Sequence, residues 1–222
     1  MKLLKIASAI ALGLVGQVAS AGVITVTVDD FSIAAFNQAG NNNRTGTFTA
    51  GSGTASTGGL VADFPTAPVL GISVDAFAGP TTYKLGYDGI ALPGGATPGS
   101  VIFTVLRNNF GGDNGGTANT VNLNGGANTA LPSPTANVTL SPYAGGAFSL
   151  TFNNPPTRTW DILIDNVSVS FNCATAKDQS ISLAQFNDTK ISCTNNVPVP
   201  GSLALLGLGG LVAGLLSRRR AK

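Results

Sequence analysis

The chain has 222 residues and a formal net charge of +2, but the basic residues crowd its ends: Lys2 and Lys5 lie near the start, and Arg218, Arg219, Arg220 and Lys222 close the chain. Between them, residues 22–196 set six cations against all ten acids, and a mildly acidic body without a basic patch excludes nucleic acid as a partner. The chain has no His, and all ten acids are Asp, which excludes Ser-His-Asp and Cys-His catalysis and His-ligated zinc.

Residues 1–21 read MKLLKIASAIALGLVGQVASA, two lysines followed by an apolar run over 6–18 and the small-x-small site Ala19-Ser20-Ala21. As a helix, that run rises only about 20 Å against a hydrocarbon core of about 30 Å, so it predicts a signal peptide cleaved after Ala21.

Residues 22–196 form the predicted folded body. From Gly22 onward the hydrophobic period is two: Ile24, Val26 and Val28 alternate with Thr25 and Thr27, and VLGISVDAF, YKLGYDGI, SVIFTVLR, NVTLS and AFSLTF follow the same pattern. Between these runs lie turn-forming stretches such as NNNRTG, LPGGATPGS and FGGDNGGTAN. Short strands with no helix between them predict an all-β, antiparallel β-sandwich of jelly-roll type.

The longest run is RTWDILIDNVSVSF at 158–171. Leu163, Val167, Val169 and Phe171 share one face, whereas Ile162 and Ile164 fall on the other with Asn166, Ser168 and Ser170, so the apolar face switches along the run, as at a bulge. Its I-D-N-V-S-V segment resembles the closing strand of galactose-binding-like jelly rolls, which implies jelly roll over other sandwiches. Cys173 follows this run and Cys193 precedes the tail; an even pair in an exported chain favours a disulfide over a metal pair or a reactive thiol.

Residues 197–222 read VPVPGSLALLGLGGLVAGLLSRRRAK. Pro198 and Pro200 break the chain, an apolar stretch long enough for a single transmembrane helix follows, and Arg218, Arg219 and Arg220 hold its far end in the cytoplasm, leaving the body outside. This tail resembles the PEP-CTERM sorting signal of Gram-negative bacteria, with Val199 standing where Glu is usual between the prolines. The resemblance implies recognition by an exosortase, a transpeptidase-like membrane enzyme. It also implies an inner-membrane stage before processing, and a destination at the cell surface or in an extracellular matrix, associated with exopolysaccharide.

Within the body, hard oxygen ligands admit one cofactor, calcium, held by Asp29, Asp30 and Asp165 if the first and last strands meet; capping of turns is the commoner use of such residues. Asp161 and Asp165, four residues apart on one strand, stand about 13 Å from each other, too far for a glycosidase pair. Tyr83 and Tyr87 share a face with Leu85, which favours core packing over a sugar-binding platform. The leading expectation is a non-catalytic surface protein; a carbohydrate-binding module and an Asp-only hydrolase are the alternatives.

Overall fold

The computed structural model describes residues 21–57, 68–74, 80–110, 119–132, 135–154 and 160–194. The signal-peptide reading through Ala19 and the sorting tail with Pro198, Val199, Pro200, Arg218, Arg219 and Arg220 lie outside the described residues. No helix among the described residues is long and apolar enough to cross a membrane.

Twelve strands and one short α-helix make up the described fold. In chain order they are β1 (Gly22–Asp29), β2 (Thr45–Ala50), β3 (Gly53–Thr57), β4 (Leu70–Val74), β5 (Thr81–Ile90), β6 (Thr97–Phe110), β7 (Thr120–Leu123), β8 (Thr129–Ala130), β9 (Ala136–Tyr143), β10 (Gly146–Asn154), β11 (Trp160–Cys173), β12 (Gln179–Ser182) and α1 (Leu183–Asp188). They form two sheets. The five-stranded sheet runs β2-β5-β10-β7-β8; in the seven-stranded sheet β11 is central, flanked by β6 with β9 on one side and by both β1 and β4 on the other.

β1 and β4 share that flank by pairing with different halves of β11: β4 lies along Trp160–Ile164 and β1 along Val167–Cys173. Between the halves, Asn166 takes a left-handed φ of 50° and the ladder to β6 slips between Asp165 and Ser168. One extra residue there moves every later side chain to the opposite face. Ile162 and Ile164 before the bulge, and Val167, Val169 and Phe171 after it, accordingly all point into one core. The face switch read from the sequence is thus a bulge, placed at a residue type that tolerates positive φ.

The core is filled from both sheets. Ile24, Val26, Phe103, Val105 and Phe171 of the seven-stranded sheet meet Tyr83, Leu85, Phe148, Leu150 and Phe152 of the other, with Phe103 and Phe152 edge to face at 5.8 Å between centroids. Antiparallel alternation explains the burial: Tyr83, Leu85 and Tyr87 of β5 and Phe148, Leu150 and Phe152 of β10 are inward, Lys84, Gly86, Ser149 and Thr151 between them are not, and buried Thr81 and Asn154 end the two rows.

The sequence pattern predicted no helix in the body, and α1 departs from it. Ser182 caps α1, accepting a hydrogen bond from the Gln185 N–H while the Gln185 side chain reaches back to the Ser182 N–H. The signal was present as S-x-x-Q, but a helix of six residues shows no full period. Phe186 of α1 packs edge to face on Phe171 at 6.2 Å, and β12 adds to β1 as a parallel edge strand.

Candidate functional site

Two places in the fold bring chemistry-bearing side chains together. The first is at the end of β1, where Asp29 is buried. Its carboxylate accepts from the Arg44 guanidinium at 2.7 Å, from the Tyr87 hydroxyl at 3.0 Å and from the Phe31 N–H at 2.9 Å. Arg44 is itself fully buried, sits 5.2 and 4.8 Å from the Phe31 and Phe36 ring centroids, and donates to the carbonyls of Ile33 and Ala34. One guanidinium therefore gathers the connection between β1 and β2 around itself, as its rigid fork of donors allows.

Desolvation raises the Asp29 carboxyl above its ordinary value, with the hydrogen bond and charge of Arg44 opposing it. Burial holds Tyr87 well above the ordinary phenol range, reinforced by the Asp29 charge, and pushes Tyr83 up to about 12. Both tyrosines are core residues, so neither forms an exposed sugar platform. The Arg44 Nε and the Tyr83 hydroxyl find no hydrogen-bond partner among the described residues.

The three candidate calcium ligands are drawn toward one region but engage other groups. Asp29 is committed to Arg44; Asp30 accepts from the N–H and hydroxyl of Ser32, which lowers its pKa; Asp165 accepts from the Asn166 side chain. Desolvation raises the Asp165 pKa, and the nearby charge of Asp30 adds to it. Among the described residues no group of three or more His, Cys, Asp or Glu side chains is placed to hold a metal. Asp161 and Asp165 lie on β11 on either side of the core-facing Ile162 and Ile164.

Arg44 was not singled out by sequence reasoning. Within NNNRTG it looks like a loop cation, and the rings that cover it come from Phe31 and Phe36, outside the period-two runs.

The second place is the junction with the tail. Cys173 and Cys193 form the expected disulfide, with Cα atoms 4.8 Å apart and both residues in the core. The Cys193 N–H donates to the Gly94 carbonyl at 3.1 Å, and a side chain at Gly95, whose φ is +82°, would press on the Cys193 backbone. Glycine at 95 thus lets the end of the body lie against the backbone of the β5–β6 turn. The bond ties the end of β11 to the far side of a lobe containing β12 and α1.

Comparison with known proteins places the tail. Residues 196–220 match the PEP-CTERM protein-sorting motif. No curated protein matches the chain. Among solved structures, the enzymatically active domain of bacteriophage CBA120 tailspike protein 4 is similar at a TM-score of 0.37 and 12% identity, over 61% of this chain and 20% of that one, a likeness too slight to carry an argument. Three residues after the disulfide closes the body, the chain enters a PEP-CTERM protein-sorting motif, the mark of an exported protein that an exosortase sorts.

Proposed function

We propose that this chain is a non-catalytic surface or extracellular-matrix protein, carried out by its signal peptide, held at the inner membrane by its C-terminal helix, and released to its site by exosortase. The observation that carries the reading is the sorting motif at 196–220, placed directly after a disulfide-closed body. A jelly-roll body is supported by the strand orders β1-β11-β6-β9 and β5-β10-β7-β8, between which the chain passes back and forth.

Association with extracellular polysaccharide is supported by the outer face of the five-stranded sheet. Register places Thr47, Lys84 and Thr151 in one row across three strands, and Thr82, Asn153 and Thr120 in the next. A flat array of hydroxyl and amide groups with little charge suits a neutral, hydroxyl-rich polymer that binds through many weak contacts. The same face favours the second reading, a carbohydrate-binding module, which a glycan array would reveal as selective binding. An Asp-only hydrolase is the third, to be sought as turnover of polysaccharide by the purified body. Calcium would serve either sugar reading through Asp30 and Asp165, and calorimetric titration with calcium tests it.

The deciding experiment is the intact mass of the protein recovered from the cell surface and medium of its host. Loss of both ends, after Ala21 and near Pro198 to Gly201, is the expected result. A mature chain that keeps residues 197–222 would overturn sorting by cleavage.

A further inference from the structure

Both ends of the folded body leave from the same end of the sandwich. Gly22, the first residue of β1, pairs with Cys173, the last of β11, and Cys173 is bonded to Cys193. The β5–β6 turn lies there too: Cys193 rests on Gly94 and Gly95, and Thr97 pairs with Asn172. The opposite end is bounded by Val74, which meets Trp160, and by Thr81 with Asn154.

We propose that the disulfide end is the surface this body turns toward the lipid membrane, and that the Cys173–Cys193 bond is what keeps the body from turning over; this rests on the sorting-tail reading above. The argument is one of reach. The uninterrupted apolar run begins at Leu203, ten residues past Cys193. Fully extended, that tether spans at most about 35 Å. β11 alone, at 14 residues, is about 45 Å long. A body hung from Cys193 on a tether shorter than itself has no room to place its far end against the bilayer.

Without the bond, the last residue held by the central strand is Cys173, thirty residues from Leu203. Once β12 and α1 detach, the tether reaches about 100 Å and inversion is free. What opposes detachment is a four-residue parallel edge strand and a six-residue helix, with Ile181, Leu183 and Phe186 packed at the edge of the core. The disulfide therefore sets an orientation as well as adding stability, presenting the Val74, Thr81 and Asn154 end outward.

The test uses the full chain in phosphatidylcholine vesicles carrying a quencher on a fraction of the headgroups. A fluorophore is attached to a cysteine introduced by Thr97→Cys at the disulfide end, or by Thr54→Cys, which is exposed and pairs with Ser73 toward the other end. Along β11 the two sites are about 35 Å apart, so quenching several-fold stronger at 97 than at 54 is expected. Equal quenching at the two sites would overturn the orientation.

Two further variants test the cause. Cys173→Ala with Cys193→Ala, and separately a twenty-residue Gly/Ser insertion after Asn195 that keeps the disulfide, should each bring the ratio close to one. An unchanged ratio in the insertion variant, which leaves the body intact, would show that reach is not the restraint. A chain that fails to float with the vesicles would overturn the sorting-tail reading, a result distinct from equal quenching in a chain that floats.

Discussion

Raising the pH should unfold this protein through its tyrosines. The chain has three, Tyr83, Tyr87 and Tyr143, each buried, and desolvation raises the pKa of every one. A phenol held above its unfolded value adds stability that is whole below pH 10 and is lost as the pH rises through its folded pKa. For Tyr83, moved from 10.0 to about 12, that loss amounts to about 3 kcal/mol. Tyr87 and Tyr143 are raised in the same direction and add to that loss, so stability falls as the pH climbs above 10. Against an ordinary domain stability of about 5–15 kcal/mol, that loss is a large fraction of what holds the fold. The assay is phenolate absorbance followed beside far-ultraviolet circular dichroism on one alkaline titration. Both signals should change together in one cooperative step, and Tyr83→Phe should make the slope shallower. Because the Tyr83 hydroxyl finds no partner among the described residues, that variant should be at least as stable as the parent at neutral pH. A tyrosine that ionises near pH 10 while the circular dichroism stays native would refute the burial argument.

Arg44→Met leaves the Asp29 carboxylate buried without its cation and frees the carbonyls of Ile33 and Ala34, so urea unfolding should show a loss of about 3–5 kcal/mol. The double variant Asp29→Asn with Arg44→Met should recover part of that loss, since no uncompensated charge remains. Replacing Cys173 and Cys193 by Ala opens a loop with a sequence separation of 20, at a cost of about 3 kcal/mol by loop closure, read as a lowered denaturation midpoint. At the bulge, Asn166→Val should cost about 1–2 kcal/mol and Asn166→Gly almost nothing, because the backbone there is left-handed; thermal melts of the pair would separate this cause from loss of a side-chain contact.

The C-terminal end of this protein was legible because a sorting signal is read as a linear pattern. Pro198-Val199-Pro200 before an apolar stretch and three arginines is such a pattern, and the motif match at 196–220 agrees with it. Strand character was legible for the same reason: alternation in β1, β5 and β10 is local, and each residue declares its face through its neighbour's polarity. Even the fault in that alternation between Ile164 and Val167 pointed to the bulge, since a broken period has one economical cause.

What the tertiary structure alone decided depends on residues far apart in the chain. That β1 and β4 share one flank of β11, and that Asp29 meets Arg44 and Tyr87, follow from register and strand order, and no alternation of polar and apolar residues encodes which strand lies beside which. The pairing of Cys173 with Cys193 follows from having two cysteines. Its position beside Gly22 and Gly94, at the end where both chain termini depart, exists only once both sheets have closed around the core that Tyr83, Phe103, Phe152 and Phe171 fill.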